Sequence, residues 1–189
     1  MLILGSGSPR RKELLSLITP IFAIDTPEVD ETLPEGVVPQ RAVMLLARRK
    51  AQAVAARYAE DAIVIGSDTI VVLDGEILGK PKDRDEAKTM LRRLSGQVHR
   101  VFTGVCVHHD GESEMFYGEA SVFFADMTDS EIEDYLNTGE PFDKAGAYGI
   151  QGYGARYIKR LEGDYYAVMG LPVHQLYKVI YPLLHKNEN

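Results

Sequence analysis

The chain has 189 residues, 45% of them hydrophobic and 26% charged, the profile of one soluble globular domain with enough apolar material for a core. Its net charge of −7 argues against broad association with polyanions such as nucleic acid, and the absence of any apolar run of about 18 residues argues against a membrane span. The N-terminus lacks the charged, apolar and cleavable pattern of an export signal, and the lone cysteine, Cys106, lies in the apolar run VFTGVCV, so a cytoplasmic protein without an intramolecular disulfide is expected.

In chain order, Leu2 to Leu4 reads as a short buried strand feeding a helix over residues 8–18 through Gly5-Ser6-Gly7. Ser8 is the N-cap, Pro9 opens the helix, and Leu14, Leu15 and Ile18 share one face. Residues 25–40 carry three prolines and five acidic side chains without a period, and predict a loop or short extended pieces. A long helix over 41–58 follows, with Val43, Leu46, Ala47, Ala51, Val54 and Tyr58 on one stripe and Lys50 on the same stripe. AIVIG at 62–66 is a buried strand, and TIVVLDGEIL reads as a hairpin turned by Asp74-Gly75.

Asp83 and Glu86 have capping-box spacing ahead of a helix with Ala87, Met90, Leu91 and Leu94 inward, ending before Gly96. A second hairpin is predicted from strands at 98–107 and 114–124 around HHDGE. Thr128 and Glu131 repeat the capping-box spacing, opening a helix that buries Ile132, Tyr135 and Leu136 and stops at Gly139. Glycines 146, 149, 152 and 154 interrupt the next segment, after which a strand at 156–161, a turn at 162–164 and a returning strand at 165–169 are expected. The last helix follows Pro172 with Val173, Leu176, Tyr177 and Ile180 as its packing face, and residues 185–189 are expected to fray.

Several residues are candidates for chemistry. Arg10 and Arg11 stand in the first turn of the first helix, where the macrodipole disfavours cations, a conflict that an anionic ligand would resolve. The spacing G-x-x-x-x-G-K-[ST] is absent, so this is not a Walker A loop. Asp68, in GSDT just past the end of an apolar strand, either binds a cation, takes a proton from water, or caps a turn. Asp30 and Glu31 are either solvated loop residues or part of a site. Lys50 either snorkels to water along its apolar stripe or points into a site, and Lys80 is a cation at a hairpin end. Histidines 99, 108, 109, 174 and 185 lack zinc-type spacing and read as structural or surface residues.

Six stretches in order, SGSPRRKELL, GSDTIV, GEILGKP, LSGQVHRVFTGV, DKAGAYGIQGYGA and GDYYAVMGLP, resemble the Maf family of nucleoside triphosphate pyrophosphatases over essentially the whole chain, 1–189, as a single domain. The resemblance implies an elongated, two-lobed α/β fold with a mixed sheet and a central cleft, related to the inosine triphosphate pyrophosphatases, and a homodimer. It also implies hydrolysis of a nucleoside triphosphate to monophosphate and pyrophosphate with a divalent metal, magnesium or manganese. Asp68 matches the family's catalytic acid/base, and Glu31 an acidic position near the metal. Ser6, Arg11, Lys50 and Lys80 match positions around the triphosphate, while Arg10, Thr69 and Gln151 match positions tied to base selection. With S-P-R-R and D-T the chain resembles the dTTP/UTP branch more than the 7-methyl-GTP branch. Ser67 is a departure, standing where alanine is common. An alternative from another class is a nucleotide-sensing regulatory binder of cell division.

Overall fold

Short-range chemistry sets most element boundaries in the computed structural model, which describes residues 1–185. Residues 186–189, most of the tail expected to fray, lie outside the described residues. The elements are β1 (Leu2–Gly5), α1 (Pro9–Ser16), β2 (Ala23–Ile24), α2 (Pro39–Ala55), β3 (Ile63–Leu73), β4 (Glu76–Leu78), α3 (Arg84–Leu94), β5 (Val98–His109), β6 (Glu112–Phe124) and α4 (Asp129–Asn137). Three 3-10 turns (Glu140–Asp143, Ala145–Ala147, Gly152–Tyr157) then lead to β7 (Ile158–Gly163), α5 (Tyr165–Met169) and α6 (Val173–Leu184). Among the described residues the strands form one mixed sheet in the order β2-β1-β3-β5-β6-β7, with β4 paired to β3 off that path. No helix among them is long and apolar enough to cross a membrane.

The chain divides into two compact units, one holding Met1–Asp68, Thr103–Gly118 and the chain from Gly170 onward, the other Thr69–Phe102 and Glu119–Met169. In the first, β1 lies parallel to both β2 and β3, with Leu4 opposite Ile65 and Gly5 opposite Gly66. α2 buries Ala47, Ala51 and Val54 against Ile3, Val64 and Cys106, so its predicted apolar stripe is its core face. Two glycines let the helix approach the strands backbone to backbone. A Cβ on Gly66 would lie 2.2 Å from Ala47 O, and one on Gly104 would lie 2.4 Å from Val43 O. Such separations are far inside van der Waals contact, so only glycine fits at either position.

In the second unit α3 and α4 bury the faces read from their spacing, Ala87, Met90, Leu91 and Leu94 on one, Ile132, Tyr135 and Leu136 on the other. Each fully buried leucine contributes about 1.5–3 kcal/mol of transfer free energy. Asp83 caps α3 by accepting from Glu86 N at 2.8 Å, but the Glu86 carboxylate accepts from Lys82 N at 2.6 Å, one residue short of a full box. The Thr128–Glu131 box is complete. Asp74 (φ 52°) and Gly75 (φ 82°) form the β3–β4 turn, as their sequence requires.

Three expectations are corrected. AIVIG and TIVVL are one strand, because β3 continues past the end of β1 as the partner of β4, pairing Val71 with Leu78. Residues 165–169 form a short helix, because Asp164 Oδ1 accepts from Tyr166 N at 2.9 Å and Ala167 N at 3.3 Å and thereby caps a turn. Tyr177 is exposed, its ring 5.1 Å from that of Tyr181 and tilted 47° to it, instead of packing inward with Leu176 and Ile180.

His99 is a structural histidine, as read, but a fully buried one. Its Nε2 is hydrogen-bonded to Tyr148 Oη at 2.6 Å and its ring meets the edges of Phe124 and Tyr148. Burial pushes its pKa down to about 4. Between that value and the 6.5 of an ordinary histidine the unfolded chain binds the extra proton, so stability rises with pH across this window and is lost on acidification. The loss from this one group amounts to about 3 kcal/mol. Urea unfolding at pH 7 and pH about 4.5 is expected to show about 2 kcal/mol of it, and a His99→Gln variant to lack that share of the difference.

Candidate active site

Chain geometry beyond Gly66 explains why a carboxylate can be presented where β1 ends. β1 stops at Gly5, opposite Gly66, while β3 runs on through Ser67 and Asp68 beyond the carboxyl end of the parallel pair. Asp68 is therefore inside a strand, a correction to its expected position after one, yet it still projects past the edge where ligands bind parallel sheets. It is buried, 8% exposed. The Lys50 ammonium, carried to the same place by α2, donates to Asp68 Oδ1 at 2.5 Å and pairs with Glu31 Oε1 at 2.7 Å. Lys50 does not run out to water along its apolar stripe, because its ammonium is held between these two carboxylates. Its side chain is 14% exposed and that of Asp68 11%, whereas Glu31 reaches in from solvent at 61%.

The loop carrying Glu31 is strapped to α2 and to the turn that follows it by side chains from both. Arg49 Nη1 donates to the carbonyls of Asp30 (2.9 Å) and Thr32 (2.7 Å), on either side of Glu31. Arg57 pairs with Asp25 at 2.7 Å, and Tyr58 Oη donates to the same carboxylate at 3.2 Å. Glu31 is thus an exposed loop residue, as one of its readings expected, with its carboxylate paired to Lys50.

The first turn of α1 completes this cluster. Ser8 caps the helix, accepting from Arg11 N at 3.5 Å, and that turn carries Arg10 and Arg11 with no acidic residue of its own. Ser6 Oγ accepts from Arg11 Nη1 at 3.1 Å and from Ser8 N at 3.3 Å, while Arg11 Nε donates to Gly170 O at 2.9 Å. Fully buried Ser67 donates to the same Gly170 carbonyl at 3.0 Å, which gives the departure from alanine a physical role. Desolvation lowers the Arg11 pKa, with Asp68 and Glu31 pulling the other way and Arg10 adding to the fall. One unit therefore gathers Ser6, Arg11, Glu31, Lys50 and Asp68, with Arg10 half-buried on α1. Thr69, Lys80 and Gln151 belong to the other unit: Thr69 directly follows Asp68 in β3, Lys80 is exposed after β4, and Gln151 is half-buried in the glycine loop.

Among the described residues no group of three or more His, Cys, Asp or Glu side chains is disposed to hold a metal ion. Two carboxylates, Asp68 and Glu31, meet at one ammonium. That donor set fits a hard cation that completes its shell with phosphate oxygens and water, as magnesium does at nucleotide sites.

Residues 1–183 match the family described as Maf-like protein. A protein of Halalkalibacterium halodurans named dTTP/UTP pyrophosphatase is 51% identical over 95% of this chain and 94% of its own length. A Geobacillus protein of the same name is 53% identical over 91% of this chain and 92% of its own. A solved structure, the Ham1 protein of Staphylococcus aureus, is similar over 83% of this chain and 79% of that one, with 18% identity and a TM-score of 0.47.

Proposed function

Because the chain belongs to the family of Maf-like proteins, we propose that it hydrolyses dTTP and UTP to the monophosphate and pyrophosphate. The observation that carries this reading is the Asp68–Lys50–Glu31 cluster beside Arg11, which brings a proton-accepting carboxylate and anion-binding cations to one place. The relatives' shared name, dTTP/UTP pyrophosphatase, supplies the substrate class.

In the proposed reaction water attacks the α-phosphorus, its proton passes to Asp68, and the bond from that phosphorus to the bridging oxygen breaks to release pyrophosphate. Arg11, Ser6, Lys50 and Lys80 hold the phosphate chain and neutralise the charge that gathers on the leaving group, the dominant form of catalysis in phosphoryl chemistry. The N-terminus of α1, with Arg10 and Arg11 in its first turn, favours the approach of the triphosphate. Magnesium or manganese held by Asp68 and Glu31 would add charge neutralisation and make water more acidic. Arg10, Thr69 and Gln151 select the base. The same proposal includes a homodimer, a cytoplasmic address, and no nucleic-acid or membrane partner. Clearance of non-standard nucleotides and arrest of cell division are the biological roles it fits.

Release of pyrophosphate tests the reading. Repeated turnover of dTTP and UTP, abolished by EDTA and weak with 7-methyl-GTP and common purine triphosphates, is expected. Tight nucleotide binding without turnover would overturn the enzyme assignment, and preference for 7-methyl-GTP the branch assignment.

A further inference from the structure

We infer that Glu140 is the positioning residue for the glycine loop carrying Gln151, and so sets how strictly the base is selected. This rests on the proposed role of Gln151 in base selection. The loop 149–154, GIQGYG, contains three glycines and has little side-chain material to hold a single shape. Glu140 supplies what the loop lacks. Its Oε1 accepts from Gly154 N at 3.0 Å and from Tyr135 Oη at 2.7 Å, and its Oε2 accepts from Tyr153 N at 2.8 Å. Tyr135 Oη in turn accepts from Gly149 N at 3.1 Å. Both ends of the hexapeptide are thus tied to one carboxylate and one phenol, with Gln151 between the ties.

The anchor itself is rigid. Tyr135 is fully buried on α4, its ring against that of Tyr157 at 5.6 Å between centroids. Lys144 Nζ donates to the Glu140 carbonyl at 2.6 Å, fixing the backbone from which the carboxylate reaches out. The loop is shaped to the same clamp. A Cβ on Gly152, whose φ is +72°, would lie 2.4 Å from Glu140 Oε2, and one on Gly154 would lie 2.7 Å from Tyr135 Oη. With both oxygens engaged by donors of its own unit, Glu140 acts through the loop and not on the reacting atoms.

Glu140→Gln keeps the shape but replaces one oxygen by an amide nitrogen, so one of the two backbone N–H ties is lost whichever way the amide lies. The ratio of kcat/KM for dTTP to that for dGTP is expected to fall about tenfold, through a higher KM for dTTP with kcat nearly unchanged. Amide hydrogen exchange at 149, 153 and 154 should accelerate by about tenfold or more, with α3 unaffected. Tyr135→Phe, which retains the buried ring, should accelerate exchange at 149 as well. Because Glu140 acts through Gln151, the double variant with Gln151→Ala should be no less selective than Gln151→Ala alone. If Gln151→Ala leaves the ratio unchanged, the reading of Gln151 fails and the selectivity claim goes with it, while exchange still decides the clamp. If Gln151→Ala lowers the ratio but Glu140→Gln alters neither ratio nor exchange, or the two variants combine additively, the inference about Glu140 is overturned.

Discussion

Asp68→Asn is expected to reduce turnover of dTTP by about 10²–10⁴-fold, the range associated with losing a positioned proton acceptor. The substitution is nearly isosteric, and asparagine still offers an oxygen to the Lys50 ammonium that Asp68 now accepts from at 2.5 Å. Lys50 also keeps Glu31 at 2.7 Å, so its charge is not left without a counterion. Thermal unfolding should therefore move little while single-turnover pyrophosphate release collapses. An Asp68→Asn protein with near-normal turnover would remove Asp68 from the proposed chemistry, and one that fails to fold would show that its charge is structural.

Lys50→Met carries the second large effect, and there stability changes along with rate. The side chains of Lys50 and Asp68 are 14% and 11% exposed, so removing the ammonium strands a mostly buried carboxylate. Breaking such a pair costs about 3–5 kcal/mol; the nearby positive charge of Arg11, which interacts with Asp68, places the expected loss toward about 3 kcal/mol. Removing both charges should hurt less than removing one. Urea unfolding of Lys50→Met, Asp68→Asn and the double variant forms the cycle: the double variant is expected to recover most of the lost stability and none of the activity. Additive losses would mean that the pair is not coupled in solution.

Local chemistry made much of the fold legible. Four inward positions at helical spacing marked the buried face of α3, and Thr128 with Glu131 marked the start of α4 to the residue. Where single side chains decide the backbone, spacing was silent. Tyr165 to Met169, rich in residues that favour strands, became helical because Asp164 satisfies two amide groups at its start. β2, two residues long, is recruited by Ile3 and Leu4 and leaves no period of its own.

At the site, the helical stripe singled out Lys50 but not its partner Asp68, 18 residues away. Arg11 and the Gly170 carbonyl are 159 residues apart, and nothing in either neighbourhood announces the other. Arg49 and Glu140 escaped for the same reason: each works by donating to or accepting from backbone in a distant loop, a contact that no side-chain pattern encodes. The six quoted stretches carried the family assignment that the residue patterns alone left open.

Gly66 and Gly104 act as notches that register α2 on the strands, and this fixes where Lys50 stands one turn further along the helix. A helix seated on backbone has no slack to absorb a shift, so the reach of that ammonium is a built-in length. Attempts to retune the enzyme by diversifying the inner face of α2 would trade away folding, whereas outward positions such as Arg48 and Gln52 leave the ruler untouched.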